Sequence, residues 1–171
     1  MMKSEGRVLS GARFVFPFAA FLAFLWFATR PCISVFSEGN VLASCPADPG
    51  MEFSTRFIHS VQKTPVQEKL RGAADKRTLE LGETRYHSFG VGLPFLASEG
   101  EFRQEGNDFV LTGMERRVAK LSLRTGVGTQ LALTLAGAGF AKRFELYEEF
   151  APGTLIELGF APLYKCLISE E

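Results

Sequence analysis

The 171-residue sequence lacks an excess of charge of either sign, with Lys plus Arg and Asp plus Glu at 19 each. A basic face reading phosphates therefore has no electrostatic basis, and no nucleic-acid partner is expected. The enzyme signatures H-E-x-x-H, G-x-S-x-G and the Walker glycine-Lys loop do not occur, which leaves zinc proteases, α/β-hydrolases and P-loop NTPases without their motifs. Cysteine is scarce, and Cys32, Cys45 and Cys166 form no C-x-x-C pair; no metal site and no cofactor is expected. Histidine is limited to His59 and His87. Internal repeats are not visible, and no Ser, Gly or Pro-rich linker divides residues 32–171. What is present is a 46% apolar, 22% charged composition, enough for one packed core.

The apolar residues are unevenly distributed. Phe14 to Ala28 runs without a charge, after a segment carrying Lys3, Arg7 and Arg13 against Glu5. This is a membrane-targeting pattern, and residues 1–31 are expected to form a basic leader with a transmembrane or signal-anchor helix. Fifteen helical residues reach roughly 22 Å, short of the roughly 30 Å hydrocarbon layer. Starting instead at Val8 gives a longer span with Arg13 able to snorkel. The run ends in Ala28-Thr29-Arg30-Pro31, a poor cleavage site, so an uncleaved anchor is favoured. Leu42-Ala43-Ser44-Cys45 spells a lipoprotein-type box but lies too far past the run to be cut at the membrane. The positive-inside bias places the amino terminus in the cytoplasm and residues 32–171 in the periplasm or outside the cell. In an oxidising compartment the three cysteines are compatible with one disulfide and a leftover thiol, or with three thiols.

Beyond residue 32 the dominant period is two. Met51, Phe53, Thr55 and Phe57 alternate with Glu52, Ser54 and Arg56, as in a half-buried strand. Further strands are expected at Ile33 to Phe36, Val66 to Arg71, Thr78 to Phe89, Phe109 to Leu111, Val118 to Leu123, Gln130 to Leu135 and Leu155 to Phe160. Turn signals such as Lys63-Thr64-Pro65 and Ala151-Pro152-Gly153 separate them. The spacing predicts an all-β, antiparallel sandwich or barrel-like domain over residues 32–171. Residues 140–151 are read as a short strand followed by a turn of helix.

Two polar stretches are the candidate site. Phe57-Ile58-His59-Ser60-Val61-Gln62-Lys63-Thr64-Pro65-Val66-Gln67-Glu68 is the densest polar run beside a strand. If His59 continues the face of Phe53 and Phe57, one ring nitrogen needs a partner, for which Glu68 on the returning strand is a candidate. Such a pair serves equally as scaffold or as site. His59 and Ser60 point to opposite faces and make no dyad. Gly90-Val91-Gly92-Leu93-Pro94 could bring backbone amides to a small anion, or simply form a tight turn.

Together, this first run and Arg85-Tyr86-His87-Ser88-Phe89-Gly90-Val91-Gly92-Leu93-Pro94 resemble the family of small exported or membrane-anchored proteins called domain of unknown function 1850. The pattern is an aromatic residue, His-Ser-Val, a Lys-Thr-Pro turn and a Glu, then a Ser-Phe-Gly-x-Gly-hydrophobic-Pro loop, covering about residues 50–160. His59, Ser60, Val61, Pro65, Glu68, Ser88, Gly90, Gly92 and Pro94 occupy motif positions; His87 is private to this chain, and Val91 stands where Ala is frequent. The resemblance implies a neighbourhood: such proteins are often encoded beside the permease and solute-binding protein of TAXI-type tripartite transporters. The expectation is a noncatalytic accessory domain contacting one of those components. The alternatives are a small-ligand binding module whose rim is His59, Ser60, Glu68, Ser88, Gly90, Gly92 and Pro94, and a hydrolase using His59 as base, oriented by Glu68, with Ser88 as nucleophile.

Overall fold

The structure, a computed structural model, describes residues 12–47, 51–88, 98–137 and 140–168. Helix α1 (Ala12–Ala28) leads through Thr29 and Arg30 into β1 (Pro31–Ser37) and β2 (Asn40–Pro46). Then come β3 (Glu52–Ile58), β4 (Pro65–Gly72), β5 (Leu79–Tyr86), β6 (Glu101–Glu105), β7 (Asp108–Val118), β8 (Lys120–Arg124) and β9 (Ala132–Gly137). The chain closes with β10 (Phe140–Phe144), α2 (Leu146–Glu149), β11 (Leu155–Pro162) and α3 (Leu163–Ile168). Residues 140–149 are thus the strand and helical turn expected of them.

The strands form two antiparallel sheets, ordered β2-β1-β11-β8 and β10-β9-β3-β4-β5-β7-β6. The strands ending each order are not paired with each other, so no barrel closes, and of the two expected architectures the barrel is corrected. Alternation decides which residues face inward. On β3, Phe53 and Thr55 are buried while Glu52 and Arg56 are exposed, and Phe53 meets Leu70 across the hairpin and Leu135 on the other side. Ile33, Val35, Ile156 and Leu158 from the smaller sheet join Phe53, Leu70, Leu79, Leu133 and Leu135 from the larger in one cluster. Each such side chain contributes about 1.5–3 kcal/mol when taken fully out of water.

Near α3, β1 and β11 are buried on both faces, because α3 folds back over the outer face of the smaller sheet. There Cys166 packs with Cys32 and Ala161, and its Sγ lies 3.0 Å from Ser34 Oγ. Cys45 is different: it is the register partner of Ile33, sits in the inter-sheet core, and donates its thiol to the Ile33 carbonyl. Cys32 and Cys45 therefore occupy opposite faces of one sheet. All three cysteines are buried.

Among the described residues, no helix is long and apolar enough to cross a membrane. The 17 residues of α1 reach about 25 Å, against roughly 30 Å of hydrocarbon. At the expected position the described residues form an apolar helix, α1. Its large apolar side chains Phe18, Phe21, Phe24, Trp26 and Phe27 are 63%, 57%, 65%, 64% and 51% exposed.

The sheets have two distinct ends. Pro31, where α1 hands over to β1, is the register partner of Pro162 at the end of β11. The opposite end of β11 starts from Thr154, whose carbonyl accepts from the Thr125 amide. Thr129 of that same loop bonds through its carbonyl to the Ile58 amide, where β3 runs into the His59 turn. The β4–β5 turn lies at the α1 end, because Gly72 approaches Phe160 and Ile33. The length of β11 therefore separates the α1 end from the His59 end by roughly 24 Å at about 3.4 Å per residue.

Candidate functional site

The hairpin β3–β4 turns tightly. The His59 amide donates to the Thr64 carbonyl at 2.8 Å, and the Lys63 amide donates to the His59 carbonyl at 2.9 Å. Closing the loop so quickly places Lys63 at a φ of 56°, in the left-handed region. The imidazole completes the turn. Its Nδ1 accepts from the amides of Val61 and Gln62, both at 3.2 Å, so that the ring works as an Asn or Asp side chain does at a cap. Two amides converging on Nδ1 assign the neutral ring's proton to Nε2. His59 is buried, whereas Ser60, Val61, Gln62 and Lys63 are exposed.

The register separates His59 from Glu68. Glu68 lies opposite Thr55, four residues back along β3, which is roughly 13 Å at the strand rise. Its carboxylate accepts from Thr55 Oγ1 at 3.2 Å, and no hydrogen bond or ion pair joins it to His59. The hydrogen-bond partner assigned to His59 from the sequence is corrected accordingly. Glu68 instead shares the inward face of the larger sheet with Val66 and Leu70, between Thr55 and its other register partner, Thr84. Both threonines are fully buried. Burial pushes the Glu68 carboxyl above its ordinary value, opposed more weakly by the Thr55 hydroxyl and the charge of Arg116. This carboxyl separates two apolar clusters: Leu70 belongs to the inter-sheet core, whereas Val66 packs with Tyr86, Phe57 and Phe109.

Ser88 comes to the His59 turn. Its Oγ lies 3.1 Å from Thr64 Oγ1, a contact that joins the two sequence motifs at one end of the larger sheet. Gly90, Gly92 and Pro94 lie outside the described residues. His87 points elsewhere: its Nδ1 is 3.1 Å from Asp108 Oδ1, on an exposed surface where Arg85 also reaches Asp108 and Glu105. Among the described residues no group of three His, Cys, Asp or Glu side chains could hold a metal ion.

Thr55, Thr84 and Tyr86 hold none of the motif positions. Thr55 and Thr84 flank Glu68; Tyr86 is 1% exposed, with its phenol raised first by burial and then by the charge of Glu99. Only the period-two alternation hinted at Thr55, by setting it with Phe53 and Phe57 on one side of its strand. The arrangement is poorly set for general-base catalysis. His59 Nδ1 already accepts two amides, Nε2 carries the proton, and Glu68 is too distant to orient the ring.

Fold and site together define a two-sheet antiparallel β domain, headed by an apolar helix, whose motif end is held by turn hydrogen bonds. Residues 53–140 match the family model described as Domain of unknown function (DUF1850). The chain belongs to the DUF1850 family. No curated protein and no solved structure matches it.

Proposed function

We propose that the chain is a membrane-tethered, noncatalytic accessory domain, held by α1 in the cytoplasmic membrane with its amino terminus inside and its β domain outside. The observation that carries this is the exposure of the large apolar side chains of α1 on a helix that runs directly into the folded domain. Each such side chain left in water forgoes about 1.5–3 kcal/mol, and a bilayer removes that cost. Lys3 and Arg7 precede the helix and Arg13 lies in its first turn, whereas only Arg30 closely follows it, which supports the inside placement of the amino terminus.

The partner reading rests on the family's neighbourhood, a TAXI-type tripartite transporter. Geometry favours the solute-binding protein over the permease at the motif end, because the His59 turn stands roughly one strand length, about 24 Å, from the tether. The test is affinity capture of the full-length chain from detergent-solubilised membranes of its host, with uptake measured in a deletion strain. Enrichment of transporter components and slower uptake are expected; neither enrichment nor any change in uptake refutes the partner reading.

A second reading, a small-ligand binding module, is favoured by the bond between Thr64 and Ser88, which brings both motifs to one rim. Native mass spectrometry of the purified chain tests it. A retained small molecule lost in Ser88→Ala supports the module, and a clean apo mass from gently purified protein counts against it.

A further inference from the structure

At the α1 end, opposite the motifs, a groove of about 640 Å³ lies between the helix and the β domain. Trp26, Phe27 and Leu163 supply its apolar wall, and Arg30 and Lys76 supply its charge; among the described residues no acidic side chain lines it. These come from three separate segments that the fold gathers at one place. Trp26 and Arg30 belong to the helix exit, where the guanidinium lies 4.0 Å over the indole. Leu163 opens α3 and is fixed there by its amide, which donates to the Arg30 carbonyl at 2.9 Å. Lys76 sits in the β4–β5 turn at a φ of 52°, and the Lys76 amide bonds the Ala73 carbonyl at 3.0 Å. The neighbouring Asp75 is occupied within the turn by the Arg77 and Thr78 amides and the Thr78 hydroxyl.

We infer that this groove binds the headgroup of an anionic phospholipid. The inference rests on the membrane reading above and deepens it. Charge complementarity selects the occupant: two cations and, among the described residues, no carboxylate line the groove, so a phosphodiester with a neutral, hydroxyl-bearing headgroup fits better than a zwitterionic one, whose ammonium would meet Arg30 and Lys76. Position selects it as well. The groove adjoins the last turn of an apolar helix and carries an exposed Trp, the side chain that settles at headgroup depth. Acyl chains would lie along Phe27 and Trp26, and the phosphate between the two cations, as juxtamembrane basic residues hold anionic lipids.

Trp26 is the only tryptophan of the sequence, which makes the test direct. The full-length chain is reconstituted in nanodiscs of phosphatidylcholine containing a minor fraction of either brominated phosphatidylglycerol or brominated phosphatidylcholine, and quenching of Trp26 is compared. Preferential quenching by the glycerol lipid is expected, with an apparent local enrichment of roughly fivefold per cation that falls in high salt. Lys76→Gln, which leaves the Arg30 and Trp26 pair intact, removes about one such factor, and Arg30→Gln with Lys76→Gln removes the preference. Equal quenching by the two lipids in the unsubstituted protein overturns the headgroup site while leaving the tether standing. Absence of quenching by either lipid, or failure of the folded chain to enter nanodiscs, overturns both.

Discussion

Replacing His59 tests whether its ring serves the turn. The Nδ1 atom accepts two amides at 3.2 Å, and both donors belong to exposed residues that water can reach. Each lost bond is therefore placed at the low end of the usual range, about 0.5 kcal/mol. Removing a largely buried ring adds roughly 1 kcal/mol of lost packing. His59→Ala is expected to cost about 2 kcal/mol in all, whereas His59→Asn restores an acceptor at nearly the Nδ1 position and recovers about 1 kcal/mol of it. For a domain of this size those values correspond to drops in Tm of roughly 6 °C and 3 °C. Circular dichroism of thermal and urea unfolding is the suitable assay, because Trp26 lies on α1 and reports little of the sheets. If Asn lowers stability as far as Ala does, the acceptor contributes nothing and the turn argument fails. An unchanged Tm in His59→Ala would contradict it more severely.

Three further outcomes follow from particular contacts. Glu68 is held above its ordinary value of 4.5, so the folded state favours the protonated acid and the charge opposes folding at neutral pH. That opposition is fully present above the folded-state pKa and disappears as pH falls toward 4.5; Glu68→Gln should thus be as stable as the parent or more so at pH 7, with the advantage shrinking on acidification. A Tm difference that is flat or widens toward acid refutes this. At Gly100 an added Cβ would overlap the main-chain carbonyl of Thr112, whereas at Gly82 it would meet nothing within 4 Å; Gly100→Ala should cost about 1–3 kcal/mol and Gly82→Ala far less, and equal urea midpoints would contradict the packing. Oxidation of the folded chain should yield no Cys32–Cys45 link, since the two side chains leave opposite faces of one sheet; finding that cross-linked peptide in a non-reducing digest would refute the β1–β2 register.

Much of the larger sheet was legible in the sequence because its inner strands alternate. Phe53, Thr55 and Phe57 against Glu52, Ser54 and Arg56 reveal β3 directly, and Val66 to Arg71 reveals β4. The edge strand β6 was missed for a physical reason: all five of its residues are exposed, and Glu-Phe-Arg-Gln-Glu carries the charges that protect a sheet edge from foreign pairing. The missed strand β2 lacks a polar alternation, and its hairpin turn, Glu38-Gly39, has positive φ at both residues, a type I′ form more readily signalled by Asn-Gly. The site was legible in part. Its polar residues were singled out by composition, but the partner of His59 was not, because pairing depends on how many residues the turn consumes. A turn closed between His59 and Thr64 sets Glu68 against Thr55, and nothing local in the sequence counts those residues.

The extent of the family match separates the two ends of the molecule. Residues 53–140 contain β3 to β7 and β9, with the first residue of β10, and they contribute to the smaller sheet only β8. The His59 turn, Glu68 and the segment through Ser88 all fall within that stretch. Of the residues lining the groove at α1, Lys76 is inside it, whereas Trp26, Phe27, Arg30 and Leu163 are outside. Whatever the motif end does is therefore tied to what defines the family, while the proposed tether rests on α1, β1, β2, β11 and α3. The two ends are coupled mechanically through the shared core, since Ile33 and Leu158 pack against Phe53 and Leu70 in one cluster. Under the proposed topology, a tether that orients the smaller sheet at the bilayer would orient the larger sheet too and hold the His59 turn out in the aqueous phase. Substitutions in the groove should alter lipid preference without disturbing the Thr64–Ser88 contact, and those in the turn should do the reverse.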